Sequence, residues 1–200
     1  MVSEIIKIIT AFILVIRNFI FLIFSPYKTI RKISIKSDYY QIGIIFFLVF
    51  IYFKFIYYLR ADPHPATFVF LIFLINFLLT TGFFYLVSKN SEKVNFRSFV
   101  FTFSYSLFPT LIWFLTNSIL YILFPPPRFP SLLGKGFSIF FITFSISLLV
   151  WKLILFYLSL RFSTKLNFFR IIYLIILYLM WFVPLSIFFY YFKIFRIPFI

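Results

Sequence analysis

Five runs of about twenty apolar residues occupy most of this 200-residue chain. The apolar core of a bilayer is about 30 Å thick, and an α-helix needs roughly 20 residues to cross it. Short segments rich in proline, polar and charged residues separate the runs, which is typical of loops at a membrane surface. The pattern therefore predicts five transmembrane helices, with approximate bounds 39–59, 66–87, 98–124, 137–160 and 171–191.

A further apolar run, Ile5–Phe24, differs because charged residues interrupt it. On a helical wheel its polar residues fall within an arc of about 140°, and most of the remaining surface is apolar. Burying Arg17 in a spanning helix would cost about 2.5–3.5 kcal/mol. This favours an amphipathic helix within residues 1–25 that lies in the membrane interface. The run is also long enough to span, so that alternative stays open.

Small polar residues form a second pattern. Along the third predicted span, every fourth residue is a serine or threonine, at Ser98, Thr102, Ser106 and Thr110. This spacing puts their side chains on one ridge of a helix. Such ridges allow close helix packing in membranes, and the alternative interpretation is a polar path through the bundle. The candidates for packing or for a path are Ser98, Thr102, Ser106, Pro109, Thr110, Asn76 and Asn117. Pro109 also predicts a kink in its helix.

The charge balance is strongly positive, with 19 Lys and Arg against four acidic residues and a net charge of +15. Twelve cations fall on the side of the N-terminus, five fall on the other side, and two lie inside spans. Because positive residues favour the cytoplasmic side, the N-terminus is expected in the cytoplasm and the C-terminus outside. The expected location is the plasma (inner) membrane.

Lysine and arginine residues that flank the apolar runs predict contacts with anionic lipid head groups. Lys152 is a special case because it lies within a predicted span. It either snorkels to the interface or contacts an anion or a lipid phosphate inside the bundle. The candidates for lipid-phosphate contacts are Lys7, Arg17, Lys28, Arg31, Lys32 and Lys152.

The composition excludes several function classes. The chain is 64% hydrophobic and 12% charged, which excludes a soluble enzyme and a nucleic-acid-binding domain. It has no cysteine and one histidine, and its four acids are scattered. Metal sites and catalytic constellations need clusters of such groups. No catalytic residue, metal or cofactor is therefore predicted.

Three segments carry a resemblance to a known family. The first is Ser25-Pro26 followed by YKTIRKI at 27–33, the second is NFRSFVFTFSYSLFPTLIWFL at 95–115, and the third is Trp151 ahead of a basic loop. In this order, and with five spans, the chain resembles the YIP domain family over about residues 18–195. This family consists of small membrane proteins named for interaction with Ypt/Rab GTPases.

The resemblance implies a role in membrane organisation. The long polar N-terminal domain of the eukaryotic members has no counterpart here, so the chain looks like a short prokaryotic-type member, and a Rab-type GTPase partner is not expected. We therefore predict a single-domain, all-α integral membrane protein over residues 1–200 that is not an enzyme. Its expected partners are anionic lipids and other membrane proteins. The alternative function is a permease or channel for a small solute or lipid.

Overall fold

The computed structural model describes residues 2–35, 38–60, 64–88, 95–123 and 132–194, and these residues form eight α-helices with no strand among them. The helices are α1 Val2–Phe24, α2 Pro26–Ile35, α3 Tyr39–Arg60, α4 Ala66–Ser88, α5 Phe96–Ser106, α6 Phe108–Leu123, α7 Leu132–Thr164 and α8 Phe168–Tyr191.

Six helical segments in the described part of the chain are long and apolar enough to cross a membrane. They are α1, α3, α4, α5 with α6, α7 and α8. The predicted all-helical fold is therefore confirmed for the described residues, and their six long apolar segments agree with a multi-pass membrane protein. By length and composition α1 qualifies as well, so the long apolar segments outnumber the five predicted spans by one.

The third predicted span is divided into two helices. The α5 helix ends at Ser106, Leu107 forms a turn, and α6 begins at Phe108. Pro109 has no backbone N–H, so it cannot donate to the carbonyl group four residues earlier. The Leu107 amide instead donates to the Ser104 carbonyl at 3.3 Å. The interruption expected from Pro109 therefore lies two residues before it.

The α2 helix was not predicted as a separate element. Pro26 is its first residue, a position where the missing N–H has no intrahelical partner to lose. Thr29, Ile30 and Ile33 are buried against α5 and α7, because their spacing puts them on one face. The opposite face of this helix carries exposed lysine and arginine.

One end of the bundle collects the start of α3, the end of α4, the start of α5 and the end of α7. The Arg97 guanidinium lies 4.3 Å from the centre of the Tyr39 ring, and Tyr85 contacts Phe96 edge to face. The two ends of α2 contact α5 and α7 here, with the Ser98 hydroxyl donating to the Ser34 carbonyl at 3.2 Å. We call this the α2 end.

The opposite end joins the α3–α4 connection to the end of α8. His64 Nε2 lies 3.2 Å from the Phe192 carbonyl oxygen. We call this the His64 end. Consecutive long helices from α3 onward therefore run alternately between the two ends, as in an up-and-down bundle.

Both ends of α1 are held at the α2 end. Near its start, the Tyr40 hydroxyl donates to Glu4 at 2.6 Å. Its last residue, Phe24, is one residue from α2, and Tyr27 at the start of α2 packs on Phe162 at the end of α7. Between these ends, α1 buries a narrow stripe that contains Ala11 and Leu22.

Aromatic side chains fill the centre of the bundle. Phe84 is fully buried and packs against the rings of Phe103, Phe156 and Tyr178 at centroid distances of 5.0–5.6 Å. Many other large apolar side chains face outward, such as Phe140 with 65% of its surface exposed. A soluble monomer rarely exposes such continuous apolar surface, whereas a lipid-facing helix does.

Candidate functional site

A small cavity of about 50 Å³ lies between α4, α5, α7 and α8. Most of its wall is aromatic, and one group of polar side chains faces it. The lining side chains are Phe73, Asn76, Phe77, Thr80, Phe103, Ser106, Leu107, Lys152, Phe156, Tyr178 and Phe182.

The helical repeat explains how these polar groups converge. Asn76 and Thr80 are four residues apart, so they share one face of α4. Across the cavity, the hydroxyls of Thr80 and Tyr178 lie 3.0 Å apart and form a buried hydrogen bond. Lys152 on α7 also lines this space. The cavity therefore has several polar side chains in apolar surroundings.

Three of the predicted candidates meet at this cavity, namely Asn76, Ser106 and Lys152. Asn76 and Ser106 are buried, and the Ser106 hydroxyl donates to the Phe103 carbonyl at 2.7 Å within its own helix. Lys152 is partly buried and lines the interior of the bundle.

Other members of the predicted ridge contact neighbouring helices. Thr102 is fully buried, and its hydroxyl lies 3.0 Å from that of Ser163 on α7. The Ser159 hydroxyl donates to the Thr102 carbonyl at 3.2 Å. These contacts join α5 to α7 at Thr102.

The remaining candidates of this group lie away from the cavity wall. Ser98 contacts α2, as described above. Pro109 and Thr110 are buried beside the break between α5 and α6. Asn117 is partly buried on α6.

A second candidate site is the basic surface at the α2 end. Arg17 is exposed on α1, and Lys7 is exposed and pairs with Glu4 at 2.7 Å. Lys28, Arg31 and Lys32 are exposed on α2. We call these five cations the basic face. The α1 helix also exposes large apolar side chains, among them Ile9 and Ile20.

A series of hydrogen bonds links α1, α5 and α3, and the sequence did not predict it. The Asn18 amide donates to the Tyr105 hydroxyl at 3.0 Å, and that hydroxyl donates to Gln41. Gln41 in turn donates to Asp38 at 3.2 Å. Tyr105 is fully buried, so its hydroxyl is satisfied only through these partners. Asn18 and Gln41 lie 87 and 64 positions from Tyr105, and partners this far apart along the chain leave no spacing signal.

No group of three potential metal ligands occurs among the residues that the structure describes. Comparison with known proteins gave no matching family model, no similar curated protein and no similar solved structure. The geometry of these two sites is therefore the basis for functional conclusions.

Proposed function

We propose that this chain is a non-enzymatic membrane protein with five transmembrane helices that organises anionic lipid in one leaflet. In this proposal α3, α4, α5 with α6, α7 and α8 span the bilayer. The α1 helix lies in the interface, and the basic face contacts lipid phosphates. The observation that carries the proposal is that both ends of α1 contact the same end of the bundle.

The length of α1 makes this observation informative. A helix of 23 residues is about 34 Å long, which is enough to cross the apolar core. If α1 spanned, its first and last turns would lie at opposite ends of the bundle. Glu4 instead bonds Tyr40 at the start of α3, and Phe24 leads directly into α2 at that same end.

The distribution of side chains around α1 supports the same arrangement. Ala11 and Leu22 face the protein, Ile9 and Ile20 are exposed on an apolar sector, and Arg17 lies on the polar arc between these two sectors. An interfacial helix beside a bundle needs these three sectors, for protein, acyl chains and head groups. The exposed apolar sector would add volume to one leaflet only.

The distribution of lysine and arginine between the two ends of the bundle indicates which end faces the cytoplasm. The α2 end carries the basic face together with Arg97 and Arg161, whereas the described cations toward the His64 end are Lys54, Arg60, Lys135 and Lys193. Since cytoplasmic segments carry more Lys and Arg, we assign the α2 end to the cytoplasm and the C-terminus to the outside. The plasma membrane is the proposed location, because its anionic cytoplasmic leaflet attracts such cations.

The resemblance to the YIP domain family agrees with a role in membrane organisation. The proposal does not depend on that resemblance, because it rests on the placement of α1 and on the basic face. It also needs no catalytic group and no GTPase partner. Other membrane proteins that associate with the exposed helices remain proposed partners.

A permease or channel is the second candidate function, and the cavity between α4, α5, α7 and α8, with its few polar side chains, is the observation that favours it. Binding sites for small organic molecules usually measure about 300–1,000 Å³. The cavity of about 50 Å³ is far below this range. The first proposal is therefore preferred.

Neutralising two lysines of the basic face should reduce the enrichment of anionic lipid around the protein. Each cation near the surface contributes about 1 kcal/mol, so the double variant Lys28→Gln, Lys32→Gln should lose about 2 kcal/mol. The measurement is energy transfer from tryptophan to pyrene-labelled phosphatidylglycerol in proteoliposomes. High salt should reduce the signal of the unmodified protein toward that of the variant, because salt screens exposed charges.

The matched control is the double variant Lys135→Gln, Lys193→Gln, which removes the same charge near the His64 end. It should keep the lipid enrichment of the unmodified protein when the probe is confined to the leaflet at the α2 end. Equal losses in the two double variants would contradict the proposed role of the basic face. Solute efflux from the same vesicles that depends on the protein would instead favour the permease.

A further inference from the structure

We propose that a groove between α1 and α3 binds one molecule of phosphatidylethanolamine, with an acyl chain along α3 and the ammonium of the head group at Glu4. This lipid is zwitterionic, whereas the proposed function concerns anionic lipid at the basic face. The described side chains that line the groove include none of the five cations of the basic face. The inference therefore goes beyond the proposed function.

The size and lining of the groove suit part of a lipid. Its volume is about 410 Å³, within the range of about 300–1,000 Å³ that is usual for small-molecule sites. Apart from two tyrosine hydroxyls its lining is apolar, as an acyl chain requires. The lining residues are Ile8 on α1 and Tyr39, Tyr40, Gly43, Ile44 and Phe47 on α3.

The groove runs along α3 from its first turn toward the middle of the predicted span. Tyr39, Gly43 and Phe47 follow one another at intervals of four, so they lie on one stripe of the helix. Phe47 is about 12 Å from Tyr39 along the helix axis. Because tyrosine is enriched at the level of the head groups, a lipid bound here would have its head group at Tyr39 and its chain toward Phe47.

Gly43 keeps the middle of the groove open. A Cβ added to this residue would have no atom of the neighbouring described helices within 4 Å. The packing of α1 on α3 therefore does not require a glycine at this position. A larger side chain would fill the groove without pushing the two helices apart.

The carboxylate of Glu4 marks the position of the lipid ammonium. Glu4 lies one turn before Ile8, so the two residues share one face of α1. Its carboxylate accepts hydrogen bonds from the Lys7 ammonium at 2.7 Å and from the Tyr40 hydroxyl at 2.6 Å. A carboxylate can accept about four hydrogen bonds, and Glu4 is exposed, so a primary ammonium can donate to it as well.

The charges around this head-group position are balanced. Besides Glu4 and Lys7, Asp38 accepts from the Tyr40 amide at 3.0 Å, and the Arg97 guanidinium lies 4.3 Å from the Tyr39 ring centre. Two carboxylates and two cations complement a zwitterion better than an anion. The charged residues that α2 exposes are instead all cations, namely Lys28, Arg31 and Lys32.

Native mass spectrometry of the delipidated protein in detergent tests the site. Added phosphatidylethanolamine should give one bound lipid per chain. Phosphatidylcholine with the same acyl chains should bind several-fold more weakly, because its quaternary ammonium has no N–H to donate. At about ten times the dissociation constant, phosphatidylethanolamine should also raise Tm by roughly 3–6 °C for a chain of this size.

Gly43→Leu fills the groove and should abolish both the bound lipid and the Tm shift. Glu4→Gln keeps an acceptor for the Tyr40 hydroxyl and removes the charge, so it should reduce binding of phosphatidylethanolamine to that of phosphatidylcholine. The matched control is Gly136→Leu, since Gly136 is exposed on α7 and a Cβ there also meets no described atom within 4 Å. This control should bind the lipid like the unmodified protein. The double variant Lys28→Gln, Lys32→Gln should do so too, which separates this site from the basic face.

Several results would overturn the proposal. One is binding of phosphatidylethanolamine by Gly43→Leu that equals that of the unmodified protein. Another is equal binding of phosphatidylcholine, or stronger binding of phosphatidylglycerol, by the unmodified protein. If Gly43→Leu instead abolishes a dimer, the groove holds a second copy of the chain. If Gly43→Leu does not fold, Glu4→Gln decides, and an unchanged preference for phosphatidylethanolamine in that variant contradicts the site.

Discussion

Replacement of Tyr105 by alanine should destabilise the protein by about 3 kcal/mol and release α1 from the bundle. Large-to-small changes of buried aromatic residues cost about 3–5 kcal/mol in soluble proteins, and in a membrane the packing share of that cost remains. Tyr105 is fully buried, contacts Phe19 edge to face, and joins Asn18 to Gln41. The variant should therefore lose both a ring contact and a hydrogen-bonded connection to α1.

Two measurements separate these losses. Thermal unfolding in detergent reports stability, and a spin label at Ile16→Cys, an exposed position on α1, reports the mobility of that helix. The chain has no native cysteine, so the label is specific. Tyr105→Phe keeps the ring and should cost about 1–2 kcal/mol while still raising the mobility of the label.

The control is Tyr173→Ala on α8, where the tyrosine has 66% of its surface exposed. It should change stability by less than about 1 kcal/mol, since a lipid-facing side chain leaves no internal cavity. If Tyr105→Ala leaves the label on α1 unchanged, then the hydrogen-bonded chain does not hold α1 in place.

Replacement of Thr102 by leucine should lower the free energy of unfolding by about 2–4 kcal/mol. Thr102 is fully buried where α5 meets α7, with its hydroxyl 3.0 Å from that of Ser163. Overfilling a packed site costs about 1–3 kcal/mol, and each lost hydrogen bond between membrane helices adds about 0.6 kcal/mol. Thermal unfolding in detergent measures the loss.

Thr143→Leu is the matched control for this change. Thr143 is exposed on α7, and its hydroxyl donates to the Ile139 carbonyl of the same helix. The same substitution there meets lipid and should be nearly neutral. Similar stability of the Thr102 and Thr143 variants would mean that the ridge on α5 does not face α7.

The bounds of some long helices could be predicted closely because the length of an apolar run limits them, whereas the predicted fourth span, 137–160, falls short of α7, Leu132–Thr164, at both ends. The first and second predicted spans, 39–59 and 66–87, correspond to Tyr39–Arg60 and Ala66–Ser88. Polar or proline-containing sequence follows each of these runs, which is typical of a loop. Apolar length and loop composition are both read directly from the sequence.

The short α2 helix escaped prediction because it is neither long nor strongly apolar. Its signal was a combination of Pro26 at the first position with Ile30 and Ile33 on one face. Such a signal is weak over ten residues, since helices this short are marginal unless they pack on other elements. Its stability comes from α5 and α7, which the local sequence cannot reveal.

The residues that line the cavity could not be predicted from the sequence either. Spans α3 and α4 are apolar on all sides, and the same residue types face lipid and protein, so periodicity does not identify the buried face. Thr80 and Tyr178 are separated by 98 positions, and Asn18 and Tyr105 by 87. Asn76 and Ser106 could be named as polar residues within spans, but their meeting with Lys152 depends on helix order and rotation.

The placement of α1 is tested most directly by cysteine labelling from each side of the membrane. Single cysteines at Lys7→Cys and Ser25→Cys mark the two ends of α1, with Arg161→Cys as a marker for the α2 end and Lys193→Cys for the His64 end. A membrane-impermeant maleimide applied to sealed cells should label only Lys193→Cys. Applied to inside-out vesicles, it should label the other three. Labelling of Lys7→Cys from the outside, with Ser25→Cys reached only from the inside, would show that α1 crosses the membrane and would contradict this account.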